Sequence, residues 1–317
     1  MTLPVVALTG ATGFIGKRIL RALVEGGYDV RVLARRIPAE IQLGVTLEGV
    51  TWLKGGLTDR AVLKDFIAGA SAVVHCAGCT KARDRTEFFA VNAGATQALA
   101  DIAARQETPP RFILVSSLAA REPRLSSYAA SKRAGEQALR QHKAKLPTVI
   151  LRPPAVYGPG DPETLRIFQM AARGFIPAPM VPNARASLVH VDDVAGAVMA
   201  ALALDLYALP DQPIEFDDGG AYTWADIAAA AGAAVRTNPR LILIPAAALY
   251  IAGALASLHA ALTQRPTVLS WGKIPELLHP DWVASPITFP GYKPLWNIDK
   301  GFKDAVSWYT SQGLLTS

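Results

Sequence analysis

Cysteine is almost missing: the 317 residues contain two, Cys76 and Cys79. Two are too few for a disulfide framework, so a reducing interior is the default. Their Cys-Ala-Gly-Cys spacing also suits a redox or half-metal motif, but no second pair completes a metal site. Small residues packed near a bound group is the simpler interpretation, and no metal is expected. Charged residues are sparse, at 18%, and no block of like charges occurs, which argues against nucleic acid as a partner. The excess of 32 basic over 26 acidic residues gives a formal charge of +6, suited to an anionic cofactor and, less well, to a membrane surface. No export leader is expected either. Met-Thr-Leu-Pro runs directly into a strand-like segment without a basic or apolar export region, so a cytoplasmic location is expected.

One long apolar stretch, Leu241 to Leu262, has the ~20 residues of a membrane span. Pro245 splits it into a short β-branched and leucine piece and an Ala-rich helix, and alanine contributes little to insertion. A buried helix, or one lining an apolar pocket, is expected in place of a span. With 51% hydrophobic residues there is material for one large or two smaller cores.

Through residue 152 short β-like runs alternate with longer helical ones, the pattern of parallel strands joined by crossovers. Strands are expected at Val5–Thr9, Val30–Ala34, Thr51–Leu53, Ala72–Cys76, Phe112–Ser117 and Thr148–Arg152, with helices at Ile15–Glu25, Val62–Ile67, Ala95–Arg105 and Tyr128–Gln141. The expected fold class is therefore α/β, a doubly wound parallel Rossmann sheet. From Pro153 onward Pro- and Gly-rich connections surround shorter elements, which marks a smaller, interleaved C-terminal substrate domain. We place a dinucleotide-binding domain at 1–160, with 187–216 returning to it, and a substrate-binding region at 161–186 and 217–317. Within the returning segment Ser187–Val191 and Pro213–Phe216 look like strands, and Asp192–Leu204 like a helix.

The first strand runs into Thr9-Gly10-Ala11-Thr12-Gly13-Phe14-Ile15-Gly16 and then a helix. Gly10 permits the tight turn, Gly13 lets backbone approach a pyrophosphate, and Gly16 allows close helix–strand packing, while the helix supplies unpaired N–H groups and its positive dipole end. The motif sits in the first strand–turn–helix of a βαβ chain, the context it requires. Dinucleotide choice depends on the end of the second strand, where an acid suits NAD and arginine suits NADP. Here Ala34 takes the acidic position and Arg35 and Arg36 follow. Two guanidiniums capable of bidentate phosphate contacts, with Lys17 and Arg18 adding positive field, imply NADP(H); solvated surface charges are the alternative.

Tyr128-Ala129-Ala130-Ser131-Lys132 puts a phenol and an ammonium four residues apart, on one helix face. A free tyrosine titrates near ~10, so it serves near neutrality only where positive charge favours the phenolate. Lys132 is placed to do so, or to hold a nicotinamide ribose. The preceding strand ends Val115-Ser116-Ser117, where a hydroxyl can bond the substrate oxygen.

These residues resemble the extended branch of the short-chain dehydrogenase/reductase family, with its epimerase/dehydratase-like members, along nearly the whole chain. The matching segments are Thr9–Gly16, His75-Cys76-Ala77-Gly78, Val91-Asn92 with Thr96, Val115–Ser117, Tyr128–Lys132, Leu151-Arg152-Pro153 through Val156-Tyr157-Gly158-Pro159-Gly160-Asp161, and Val189–Val194. The resemblance implies Ser117 as the catalytic serine, Tyr128 as acid–base, Lys132 as its modulator and Asn92 as a support. It implies cofactor contacts from Thr9, Gly10, Thr12, Gly13, Phe14, Ile15, Gly16, Leu57, Ala77, Gly78, Tyr128, Lys132, Pro153 and Val156, and a homodimer. The family's acid after the third strand is replaced by Gly56, so adenine would be held by backbone or another side chain. His190 in the Val-His-Val-Asp-Asp segment suggests structure, with Asp192 or Asp193 capping the next helix, and Tyr157 suggests packing or pocket wall.

Dehydratases of the family carry an Asp-Glu pair where this chain has Leu118-Ala119, and epimerases carry an asparagine where it has Pro154-Ala155. Both are disfavoured. The apolar Phe175–Pro182, Leu241–Leu262, Trp271, Leu277, Leu278 and Trp282 suit an apolar small-molecule substrate better than a sugar diphosphate. The pattern is similar to 3β-hydroxysteroid-dehydrogenase-like members. The expected function is an NADPH-dependent oxidoreductase on a lipid-like ketone or alcohol such as a 3-keto sphingoid, ceramide or steroid, with peripheral membrane contact through the apolar helix. A nucleotide-sugar epimerase and a non-catalytic NADPH-binding sensor or assembly factor are the alternatives.

Overall fold

The structure, a computed structural model, describes residues 3–37, 48–205, 211–263, 271–285, 287 and 290–315. Through Arg152 strand and helix alternate: β1 (Val5–Thr9), α1 (Phe14–Glu25), β2 (Asp29–Ala34), β3 (Val50–Lys54), α2 (Arg60–Ile67), β4 (Ala72–His75), α3 (Arg85–Phe89), α4 (Ala95–Ala103), β5 (Arg111–Val115), α5 (Ser127–Arg140) and β6 (Thr148–Arg152). A π-helical turn, Ala90–Gly94, joins α3 to α4, and a 3₁₀ turn, Leu118–Arg121, follows β5. Then come β7 (Ala155–Tyr157), α6 (Pro162–Ala172), β8 (Phe175–Pro179), β9 (Arg185–Ala186), β10 (Leu188–His190), α7 (Val191–Ala203) and β11 (Ile214–Glu215). The remainder forms α8 (Trp224–Val235), β12 (Arg240–Ile244), α9 (Ala246–Thr263), α10 (Ile274–Leu277), β13 (Asp281–Trp282) and α11 (Ile298–Ser311).

Two compact units divide the chain. One comprises Met1–Arg152, Val194–Glu215 and Ile287–Lys293; the other comprises Pro153–Asp193, Phe216–Pro286 and Pro294–Ser317. The first is built on a seven-stranded sheet in the order β11-β6-β5-β4-β1-β2-β3, every pairing parallel. All four residues of β4 are buried, as a strand covered by helices on both faces requires, and the sequence is accordingly apolar without alternation. Phe66, Leu99, Phe112, Leu139 and Ile150 form part of the core on one face. The strand order reverses between β1 and β4, and ligands of such sheets bind beyond the carboxyl ends of the strands at that point. The fold class expected from the sequence is the observed one.

In the second unit α6, α8 and α11 pack around Phe168, Ala231, Phe302 and Tyr309, with Phe168 and Phe302 edge to face at 5.1 Å. Three short parallel pairs, β7 with β10, β8 with β12 and β9 with β13, complete it. The segment 187–191 thus forms a strand, but not in the main sheet. Pro153-Pro154, which lack N–H donors, end β6, and the chain resumes as β7, the partner that β10 takes; only β11 rejoins the main sheet, beside β6. His190 is fully buried and stacked on Trp296 at 4.2 Å. Asp192 and Asp193, the two candidates for capping the next helix, both lie in the first turn of α7. Asp193 accepts from the N–H groups of Leu295 and Trp296, and Nδ1 of His190 takes the Asp192 N–H at 3.3 Å. Tyr157 is buried, donates to the Asn297 carbonyl at 3.0 Å and has its phenol pushed up by burial, so it serves packing.

The apolar segment 241–262 also differs from expectation. It forms β12 and α9, but α9 is not buried: Ile251, Leu255 and Leu258 are 63%, 64% and 60% exposed. Apolar composition alone does not distinguish a buried helix from an exposed one. Among the described residues no helix is long and apolar enough to cross a membrane.

Candidate active site

The turn after β1 is built as its glycines require. Gly10 has φ +79°, and a Cβ there would lie 2.6 Å from the Ala77 nitrogen, so the turns after β1 and β4 press against each other. At Gly16 a Cβ would fall 1.9 Å from the Gly10 carbonyl oxygen. Gly13 is exposed, and a Cβ on it would meet only that same oxygen, at 3.3 Å; a side chain there would fill the space in front of α1. Gly13 caps α1 without a side chain, and the first turn holds no acid, whereas α2, α5, α6, α8 and α11 are capped by Asp59, Ser126, Asp161, Thr223 and Asn297. The N–H groups at that end are left for a ligand, and a dinucleotide pyrophosphate fits them.

Thr9 is buried, with Oγ1 2.7 Å from His75 Nδ1 and accepting the Ala77 N–H at 3.2 Å. Its side chain therefore locks the two turns together. Burial, and secondarily the Lys132 charge, lowers the His75 pKa to about 3. Thr12 is exposed and Phe14 and Ile15 are half-buried at the start of α1; Leu57 packs on the core beyond β3. Arg35 and Arg36 are exposed directly after β2, and among the described residues neither has an ion pair or hydrogen bond. Pro153 is buried after β6, and Val156 is half-buried in β7, paired with Val189.

The strand-end serines have different surroundings. Ser116 is buried and donates to Glu136 Oε1 at 2.6 Å. Ser117 is half-buried, accepts the Ala119 N–H at 3.2 Å, and has no acceptor for its own proton among the described residues. On α5, which packs against both the 3₁₀ turn and the π-helical turn, Tyr128 is half-buried and meets Phe88 edge to face at 6.1 Å. Lys132 Nζ donates to the Val115 carbonyl at 3.0 Å, which ties α5 to the end of β5. Burial pushes the Lys132 ammonium below the ordinary lysine range, against opposing contributions from Cys76, Glu136 and Cys79. Gly78 lies beside it: a Cβ there would stand 3.3 Å from Lys132 Nζ and 3.0 Å from Asn92 Oδ1.

Asn92 is buried inside the π-helical turn. It accepts the Cys79 N–H at 2.9 Å and donates to the Cys79 carbonyl at 3.1 Å and to Ser131 Oγ at 2.9 Å. One amide thereby joins the turn after β4 to the Tyr–Lys helix, and the local insertion aims it, as π-turns at functional sites often do. Both thiols are free; burial raises Cys76 to about 11 and also raises Cys79, which keeps them protonated, inert and close-packed.

Several parts of this arrangement escaped the sequence analysis: the π-helical turn, the Thr9–His75 lock, Gly135, whose Cβ would come 2.6 Å from the Asn92 carbonyl oxygen, and the buried Glu136. A usable signal existed for Glu136, which follows Lys132 by one helical turn on the face of Tyr128 and Lys132.

The fold and site define a nicotinamide-dinucleotide enzyme of the extended short-chain dehydrogenase/reductase kind. Residues 6–206 match the model of the NAD dependent epimerase/dehydratase family, and the chain belongs to that family. It is 41% identical over 313 residues to a ceramide reductase of Caulobacter vibrioides, covering 98% of this chain and 96% of that protein. It is 31% identical over 172 residues to a 4-hydroxy-2-methyl-3-oxo-4-farnesyl-3,4-dihydroquinoline-1-oxide ketoreductase of Stigmatella aurantiaca, covering 49% of this chain and 51% of that one. Among solved structures, UDP-N-acetylglucosamine 4-epimerase of Bacillus cereus superposes with a TM-score of 0.68 at 19% identity, over 99% of this chain and 98% of that one. That last likeness is one of fold. Family and relatives together make this an enzyme acting on a CH–OH or C=O group with a nicotinamide cofactor.

Proposed function

We propose that the protein is an NADPH-dependent ketoreductase acting on a long-chain keto-lipid of the ceramide type. The observation that carries this is the 41% identity, along 98% of the chain, with a ceramide reductase. The exposed Arg35 and Arg36 after β2 support the phosphorylated dinucleotide, since β2 ends in Ala34 where an acid would disfavour a 2′-phosphate.

A reduced dinucleotide, which Gly10, Gly13 and Gly16 at the start of α1 would hold by its pyrophosphate, would supply the hydride that a carbonyl carbon accepts. The residues of the chain handle the oxygen. Ser117, with an uncommitted hydroxyl proton, hydrogen-bonds the ketone oxygen, and Tyr128 delivers the proton that converts it to the alcohol. Lys132, fixed by the Val115 carbonyl, carries the positive charge that lowers the cost of the resulting phenolate. Ser116 is unavailable for this work because Glu136 holds it. Asn92 maintains the distance between the turn after β4 and α5.

The test is NADPH oxidation, followed by absorbance, against long-chain 3-keto lipids, keto-steroids and nucleotide sugars. Turnover confined to the lipid ketones, reduced ~10²–10⁴-fold in Tyr128→Phe with NADPH affinity retained, is expected. Redox-neutral conversion of a nucleotide sugar, with no lipid turnover, overturns the proposal in favour of an epimerase.

A further inference from the structure

Among the described residues, the exposed side of α9 has no partner. Between Leu241 and Gln264 there is no Asp, Glu, Lys or Arg. Of the described residues of α9, Gly253 alone is buried, against Ile274. Ile251, Leu255 and Leu258 stand at i, i+4 and i+7, hence on one face, each at least 60% exposed. The same surface continues into neighbouring elements. Trp271, 55% exposed, has its ring 4.9 Å from Tyr250, and its backbone N–H donates to Ser257 Oγ at 2.9 Å. Met180, 50% exposed, donates its N–H to the Ile244 carbonyl at the end of β12, where Ile242 and Leu243 are 46% and 48% exposed.

We infer that this face docks on the surface of a lipid bilayer, with α9 lying in the plane of the interface. A protein partner fits poorly. Eighteen helical residues make a rod about 27 Å long, and no charged side chain between Leu241 and Gln264 offers a protein partner's polar rim an ion pair. Protein interfaces also carry ~10 hydrogen bonds, and the outward Ala, Ile and Leu side chains supply none. A bilayer requires neither. Hydrocarbon accepts an uncharged apolar face, and a Trp–Tyr pair at its margin matches the headgroup level. Because the face is uncharged, attachment proceeds by hydrocarbon burial and not by attraction to anionic lipid. Its use, giving the enzyme access to a substrate that resides in the membrane, rests on the lipid-ketone proposal; the attachment itself does not.

The test uses the full chain and phosphatidylcholine vesicles without substrate, so it fails or succeeds independently of the reaction. Flotation of the wild type with vesicles at low and at high salt is expected. At least a tenfold lower bound fraction is expected for the triple variant Ile251→Gln, Leu255→Gln, Leu258→Gln, with turnover of a short, water-soluble ketone unchanged. Should the triple variant fold poorly, quenching of the wild type's tryptophan fluorescence by brominated acyl chains, diminished in Trp271→Phe, gives the same answer. The inference is overturned if the wild type stays with the free fraction, if the folded variant floats equally well, if binding requires anionic lipid and vanishes in high salt, or if the face instead holds a dimer that the triple variant dissociates.

Discussion

Glu136 and Arg152 clasp each other inside the first unit. Arg152 Nε donates to Oε1 at 2.8 Å and Nη2 donates to Oε2 at 2.6 Å, and Glu136 is 1% exposed. Arg152 Nη1 also reaches Glu215 Oε1 at 3.3 Å. Together with the Ser116 hydroxyl, the pair joins the residue after β5 to α5, β6 and β11, and it lies one turn beyond Lys132. It sets the rotation of the helix that carries the Tyr–Lys pair.

Breaking such a pair strands a buried charge, at a cost of ~3–5 kcal/mol. Glu136→Gln is therefore expected to lower the unfolding free energy by that order, measured by urea denaturation. The same variant is expected to reduce kcat more than it raises the KM for cofactor, because α5 shifts while the turn after β1 does not. Arg152→Lys keeps the charge but not the planar fork and should fall between wild type and Glu136→Gln. A Glu136→Gln protein as stable as the wild type contradicts this account.

Chain order and local pattern explain what was legible beforehand. β1 and β6 fall at their expected residues because their apolar runs are bounded by turn-forming residues, and the Gly10–Gly16 turn was readable because its glycines answer local steric needs. The Glu136–Arg152–Glu215 network was not, because partners 16 and 63 residues apart meet only after the sheet order is known. The π-helical turn was invisible since one extra residue scarcely shifts a helical period. The exposure of α9 was misjudged because an Ala-rich helix is apolar all round, so its sequence does not show which face is covered.

His75 makes stability depend on acid. Unfolded, it takes up a proton near 6.5; folded, burial holds it neutral until about 3. Between these values the unfolded state binds more protons, so stability is full above 6.5 and falls by about 1.4 kcal/mol for each pH unit lost. Unfolding free energies measured from pH 7 to pH 4 should show this slope, and His75→Gln, which does not titrate there, should flatten it. An unchanged slope in the variant assigns the acid sensitivity to other groups.

Gly135 lets α5 cross the π-helical turn at close range. Its Cβ would lie 2.6 Å from the Asn92 carbonyl oxygen and 3.3 Å from Thr96 Oγ1, and a backbone atom cannot swing aside. Gly135→Ala should therefore destabilise the protein by ~1–3 kcal/mol, despite alanine's better helix propensity. It should also lower kcat by disturbing Asn92. A gain in melting temperature would show that the two helices separate at little cost.

Arg35 and Arg36 bear on cofactor choice. Both are exposed, so each contact they make with a phosphate is partly screened, and the pair together is worth about 1.5–3 kcal/mol. Converted to affinity, the double variant Arg35→Ala, Arg36→Ala should raise the KM for NADPH by about 10- to 100-fold while leaving that for NADH nearly unchanged. The wild type's preference should also weaken as salt rises, since screening shortens the reach of surface charge. Steady-state kinetics with both dinucleotides at two ionic strengths decides it. Equal losses for NADPH and NADH would show that the arginines supply general positive field and that the 2′-phosphate is read elsewhere; no loss for either would make them solvated surface charges and remove the main support for NADPH over NADH.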